Sequence, residues 1–139
     1  MAKCWIFQDD PNADPSLPTA LQDWGIGKTV RWNMDKQGIY RNHMQVGDTV
    51  FLWYPNPDAS IAGIYGVGKL TTTHYPCPQN PKGGDCTDIR ITFIMQKPIT
   101  RNDLRQMLPD ISILNRPANK TVFPVDLSEC NDISTKLSE

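Results

Sequence analysis

Three segments carry most of the strand-forming character of this chain, and glycine interrupts the middle one. TVFLWY (49–54) is β-branched and aromatic. IAGIYGVGKL (61–70) places Gly63, Gly66 and Gly68 in one apolar run. TDIRITFIM (87–95) alternates, with Ile89, Ile91 and Phe93 expected on one side and Asp88, Arg90 and Thr92 on the other. Glycines inside a strand weaken it unless they mark a bend or a close backbone approach. No helix follows them and no GxxxxGK[ST] spacing is present, so they do not make a phosphate loop. The chain is therefore constrained to a sheet that coils strongly on itself.

Short helices punctuate these strands. CWIF (4–7) reads as a strand buried on both faces and QDDPNADPS as the loop after it. PTALQDW (18–24) is a helix with Ser16 as cap, Pro18 in its first turn and Gly25 as its stop. TVRW (29–32) is a strand, IYRNHM (39–44) one helical turn, and QVGD (45–48) a turn in which Asp48 can bond its own backbone. TRNDLRQML is a helix capped by Thr100 with Asp103 three residues on. NRPANKTVFPV is extended, and DLSECNDISTKL is a last helix with Asp126 as cap and Glu129 at its third position. Long helices do not alternate with the strands, so a doubly wound parallel sheet is excluded. The 139 residues suit one α+β domain spanning 1–139.

Hydrophobic residues make up 39% and charged residues 21%, enough to build a core. No apolar run approaches the roughly 20 residues of a membrane span. The N-terminus reaches Gln8-Asp9-Asp10 too soon for a signal peptide. The expected location is the cytoplasm. There the four cysteines, at 4, 77, 86 and 130, are expected as thiols, with a Cys77–Cys86 disulfide as the alternative. His74, Cys77 and Cys86 lack the fourth ligand and close pairing of a structural zinc site, and no metal or cofactor is expected. HExxH, EF-hand, GxSxG and Walker patterns are absent, so a binding module is favoured over an enzyme.

A net charge of −1 and a pI near 6.1 exclude a general coater of nucleic acid. Nucleic-acid binding must then come from a local patch and a specific pocket. Residues 28–55 supply the material for one. Trp32, wedged between Arg31 and Asn33, and Trp53, at the end of FLW, offer stacking surfaces; Asn33 and Asn42 can read base edges. Lys28, Arg31, Lys36 and Arg41, with Arg116 further on, can meet phosphates. Extruding a base costs a few kcal/mol, and aromatic stacking returns roughly 1–3 kcal/mol per base. Trp5 and Trp24 are assigned to the core.

In order along the chain, CWIF, VRWN, RNHMQVGDTVFLW, IAGIYGVGKL, DIRITF and ILNRPANKTVFPVDLSE resemble the blocks of EVE domains, members of the PUA-like superfamily and relatives of YTH domains. The resemblance implies a PUA-like coiled mixed β-barrel of about five to six strands flanked by short helices, with a pocket at one end. It implies that Trp32 is a wall of an aromatic cage, that Asn33 and the polar loop residues Gln8, Asp9 and Asp10 contact the base edge, and that Trp53 faces the same cavity. A carboxylate there can accept from the exocyclic amine of cytosine. The implied function is a reader that holds a flipped, modified base, with a 5-modified cytosine such as 5-methylcytosine in DNA favoured. The implied setting is a restriction or defence system, with a nuclease domain as a partner in the parent protein. The alternatives are an RNA-binding module for modified or single-stranded RNA, and a small-molecule hydrolase using the same pocket.

Overall fold

The computed structural model describes residues 3–35, 43–81, 83–115 and 121–137. The elements are β1 (Cys4–Gln8), α1 (Leu17–Trp24), β2 (Thr29–Asp35), β3 (Thr49–Tyr54), β4 (Gly63–Leu70), β5 (Gly83–Thr100), α2 (Arg101–Met107), a 3₁₀ turn (Ser112–Asn115), β6 (Val122–Val125) and α3 (Leu127–Leu137). The strands form one six-stranded sheet in the order β2-β5-β4-β3-β1-β6. β1 lies parallel to β3, and the other neighbours are antiparallel. The α+β sheet curls into a half-barrel. Among the described residues β2 and β6 stay at its two edges, so the sheet is not closed. No helix among the described residues is long and apolar enough to cross a membrane.

The caps sit where side-chain chemistry puts them. Gly25 ends α1 with φ 74°, a conformation that favours glycine. Ser16 flanks the start of α1 without a side-chain cap bond. Thr100 and Asp103 form a full capping box on α2. Asp126 and Glu129 do the same for α3: Asp126 Oδ1 accepts from the Glu129 amide at 2.9 Å, and Glu129 Oε1 from the Asp126 amide at 3.1 Å.

Bulges produce the curl. Leu52 pairs with Gly66 but Trp53 with Ile64, which leaves Tyr65 as an extra residue on β4. Gly68 pairs with Ile91 but Val67 with Phe93, which leaves Thr92 extra on β5. Thr92 Oγ1 donates to the Val67 carbonyl at 3.1 Å across that bulge. One extra residue inverts the alternation. Phe93 is accordingly 44% exposed, whereas Ile89 and Ile91 are fully buried, so the expected shared face ends at the bulge.

Both faces of the central strands are buried, because period-two alternation sends successive side chains to opposite sides. Cys4, Ile6, Phe51, Trp53 and Ile64 pack with Leu104 of α2 and Cys130 and Ile133 of α3. Trp5, Phe7, Val50, Leu52 and Ile89 pack with Leu17 and Leu21 of α1 and with Trp32 of β2. Asp48 clasps this second side. Its Oδ1 accepts from the Lys3 amide, and its Oδ2 from Trp5 Nε1 and the Gln45 amide, each at 2.9 Å. The local turn bond expected of Asp48 is present, and the same carboxylate also reaches β1.

The cysteines depart from the expected thiols. Cys4 pairs with Cys130 and Cys77 with Cys86, with Cα separations of 6.1 and 5.5 Å, inside the range a disulfide spans. The Cys4–Cys130 pair joins β1 to α3, a juxtaposition 126 residues apart that spacing in the sequence does not encode. Alkylation of the unfolded protein is expected to label no cysteine until a reductant is added. Labelling of all four without reductant would show thiols instead.

Candidate nucleic-acid interface

α1, the loop after β1 and the strand β2 surround a hollow of about 420 Å³, within the usual size range of ligand pockets. Its lining includes Asp9, Asp10, Asp14, Asp23, Trp24, Arg31, Trp32, Asn33 and Pro81. Each is brought there by simple local geometry. β1 ends at Gln8, and the Asp9 amide donates to the Trp53 carbonyl of β3 at 3.0 Å, which ties the start of the following loop to the end of the sheet. Asp10 Oδ1 then accepts from the Asn12 amide at 2.9 Å and shapes the loop. Asp23 and Trp24 close α1. Arg31, Trp32 and Asn33 are consecutive on β2, yet all three reach the hollow, because β2 is an edge strand and the hollow wraps its rim.

Trp32 is only 6% exposed and packs against Phe7 with ring centroids 6.0 Å apart. It is thus both a core residue and part of the wall. Trp24, assigned to the core from sequence, is half-buried and lines the hollow. Its spacing from Leu17, Ala20 and Leu21 is helical, which in sequence is indistinguishable from a core position. Trp24 also packs against the core around Leu17 and Leu21, so the core assignment holds in part and the residue belongs to the core and to the wall at once.

Trp53 is not brought to this hollow. It alternates with Leu52 on β3 and so points to the opposite side of the sheet from Trp32, fully buried among the residues packed under α2 and α3. The Arg101 guanidinium lies 5.8 Å from its ring centre. Burial, and then repulsion from Arg105, lowers the Arg101 pKa. Gln8 is buried at 4% exposure in the β1 strand and does not line the hollow. Lys28 is exposed just before β2 and is also outside the lining, whereas Arg31 is in it. Lys36, Arg41, Asn42 and Arg116 lie outside the described residues.

The Cys77–Cys86 loop supplies the remaining wall through Pro81. The Asn80 side-chain amide, buried at 5% exposure, donates to the Met34 carbonyl at 2.8 Å and so pins this loop to β2. Asn33 Oδ1 lies 3.2 Å from the Cys86 sulfur, and Arg31 Nη1 donates to Gln79 Oε1 at 3.4 Å. His74 Nδ1 meets Asp85 Oδ2 at 2.7 Å. Tyr75 forms a bridge with Cys86 and its hydroxyl donates to Asp88 Oδ1 at 2.6 Å. That bond, followed by burial and the Asp88 charge, raises the Tyr75 pKa above its ordinary 10.0, against a smaller lowering by Arg31. A phenol with a raised folded pKa contributes stability that is complete below the unfolded value and is lost as pH rises through the folded one. Loosening of this loop above pH 10, absent in Tyr75→Phe, is the expected result in amide exchange or limited proteolysis across an alkaline titration.

The EVE domain family model matches residues 3–136. No curated protein matches the chain. Among solved structures, human THYN1 protein in complex with 5-methylcytosine-containing DNA is 16% identical with a TM-score of 0.76, covering 99% of each chain. Protein PSPTO5229 from Pseudomonas syringae is 22% identical with a TM-score of 0.73, covering 96% of this chain and 98% of that one. The YTH domain of Zygosaccharomyces rouxii MRB1, in complex with N6-methyladenosine RNA, is 12% identical with a TM-score of 0.58, covering 98% and 86%. These likenesses fit the six-stranded half-barrel to the PUA-like fold. With the match running through nearly its whole length, from β1 to α3, the chain belongs to the EVE domain family.

Proposed function

We propose that this chain is a binding module that holds a single modified base, turned out of its strand, in the hollow beside Trp24 and Trp32. The observation that carries the proposal is the hollow itself: a space of about 420 Å³ lined by Trp24 and Trp32, with Asp9, Asp10 and Asn33 in the same lining as hydrogen-bonding groups for a base edge. Indoles give sequence-tolerant stacking, and the polar rim gives discrimination. Arg31 lines the same hollow, which supports a contact from it to a flanking phosphate. The 5-methylcytosine-containing DNA held by the human THYN1 protein supports a 5-modified cytosine in DNA as the ligand, and the methylated RNA held by the yeast YTH domain supports the wider class of modified nucleic acids. DNA is favoured over RNA. A restriction or defence role, with a nuclease as partner, belongs to the same proposal and is tested by whether the protein co-purifies with a nuclease from its host.

The decisive experiment is a panel of oligonucleotides that differ at one base substituent, in DNA and in RNA, titrated by tryptophan fluorescence. Trp24→Ala is expected to weaken the preferred ligand by about tenfold or more, the worth of one lost stacking surface, with the fold intact. Trp32→Ala is a poor test, since it also removes a core ring; Trp32→Phe keeps an aromatic against Phe7 and is expected to weaken binding less. Unchanged affinity in Trp24→Ala places the base elsewhere. Tighter binding of the RNA series moves the assignment to RNA.

A further inference from the structure

One wall of the hollow is held by a covalent bond. Pro81 lines the hollow, and it belongs to the short loop that the disulfide between Cys77 and Cys86 closes. Cys86 sits at the centre of this arrangement. It pairs with Asn33 of β2 on one side and bridges to Tyr75 on the other. The loop returns to β2 at two further points, through Asn80 to the Met34 carbonyl and through Gln79 to Arg31. Arg31 and Asn33 line the hollow themselves. The bond thus clamps the loop against the strand that carries the site.

The two disulfides differ in access. Cys4 and Cys130 are both buried, at 7% and 8% exposure, between β1 and α3. Cys77 is only half-buried, on a surface loop, while its partner Cys86 is fully buried. Exchange depends on access to the sulfur attacked, so Cys77 is the point of entry. Cys86 has a second connection to the site: its sulfur lies 3.2 Å from Asn33 Oδ1. A disulfide sulfur has no proton to donate, whereas a thiol has one. Reduction therefore turns that contact into a hydrogen bond and engages the Asn33 carbonyl.

We infer that the Cys77–Cys86 disulfide is a redox control on the hollow: oxidised, it fixes the Pro81 wall and leaves the Asn33 carbonyl to a ligand; reduced, it releases both. The reductant is a dithiol. One of its thiolates attacks Cys77 Sγ, the Cys77–Cys86 bond breaks, and Cys86 leaves as a thiolate that takes up a proton. The second thiol, as its thiolate, then attacks the sulfur of the reductant in the mixed disulfide. Cys77 leaves as a thiolate and is protonated in turn. The dithiol has become a disulfide, and the protein has gained two electrons and two protons. The consequence for ligand binding rests on the base-binding proposal above; the release of the wall does not.

The test uses the whole chain, oxidised at the start. Folded protein is treated briefly with dithiothreitol, quenched in acid, unfolded and alkylated. Cys77 and Cys86 are expected to be labelled about tenfold faster, or more, than Cys4 and Cys130. The Asn80 and Gly83 amides donate to the Cys77 and Asn80 carbonyls inside the loop. Their hydrogen exchange should quicken about tenfold or more on that selective reduction. The member of the oligonucleotide panel that binds tightest, expected to be single-stranded DNA with one 5-methylcytosine, is then titrated in both states. Reduction should weaken it about tenfold, the scale of one lost hydrogen bond and a loosened wall, and reoxidation should restore it. Cys77→Ser, which keeps the Cys86 thiol, should match the reduced protein with or without dithiothreitol. Four thiols before any reductant, labelling of Cys4 and Cys130 as fast as the other pair, or unchanged exchange each overturns the inference. Exchange that quickens while affinity stays the same overturns the control of the site and leaves base binding standing. If no oligonucleotide binds in either state, the base-binding proposal fails, and the exchange rates still decide whether the bond holds the wall.

Discussion

Asp48→Ala is expected to lower the unfolding free energy by about 3–5 kcal/mol, because three donors, one buried and two partly buried, lose a charged acceptor together and a hydrogen bond to a charged group contributes roughly 1.5–3 kcal/mol. The donors are the Lys3 amide, Trp5 Nε1 and the Gln45 amide, and the carboxylate that serves them is 1% exposed. They join the start of β1 to the turn before β3, which fixes the parallel β1–β3 register of Cys4 with Thr49. A typical domain is stable by about 5–15 kcal/mol, so the loss is a large share of the whole. Trp5→Phe removes only one of the three bonds and should cost less than half as much. Urea unfolding of both variants measures this. A loss below about 1 kcal/mol for Asp48→Ala would mean that water replaces the carboxylate and that the clasp is not structural.

Gly63→Ala is the second large effect. A Cβ at Gly63 would stand against the Ile99 carbonyl oxygen and 2.7 Å from the Thr100 Cα, both backbone atoms of β5 that cannot rotate away. The two strands must separate where Gly63 pairs with Thr100, the residue that caps α2. The expected destabilisation is about 3 kcal/mol or more, or roughly 10 °C in melting temperature for a chain of this length. Gly66→Ala is the control in the same strand: its Cβ would meet the Leu21 side-chain methyls at 3.1 Å, which can shift, and the Phe93 carbonyl oxygen at 3.4 Å, an ordinary contact. If Gly63→Ala melts no earlier than Gly66→Ala, the close approach of β4 to β5 at this point is wrong.

Much of the fold was legible in local chemistry. The glycines of β4 do mark close approach, two of them against β5 and one against α1. Thr100, Asp103, Asp126 and Glu129 made their caps, since capping depends on residues within one turn. Trp32 was legible only as one of the residues that line the hollow; that it is also a buried core ring against Phe7 was not. Phe93 was misplaced because a bulge depends on the pairing of two strands, and the pattern of one strand does not contain it.

Local chemistry marked the centres of the strands, the helix caps and the coiling of the sheet, but β5 runs from Gly83 to Thr100, beyond the 87–95 that alternation marks, and the 3₁₀ turn at Ser112–Asn115 was not marked at all. The marked features follow from side-chain periodicity, caps and glycine, all of which act over a few residues. Only the tertiary structure decided which aromatic residues share the hollow. It put Trp53 under α2 and α3, brought Trp24 to Trp32 at the end of α1, and set Cys4 beside Cys130. Such choices depend on which face of a strand each helix covers and where the helix ends relative to the sheet. Those are relations between elements far apart along the chain, and local patterns leave them open.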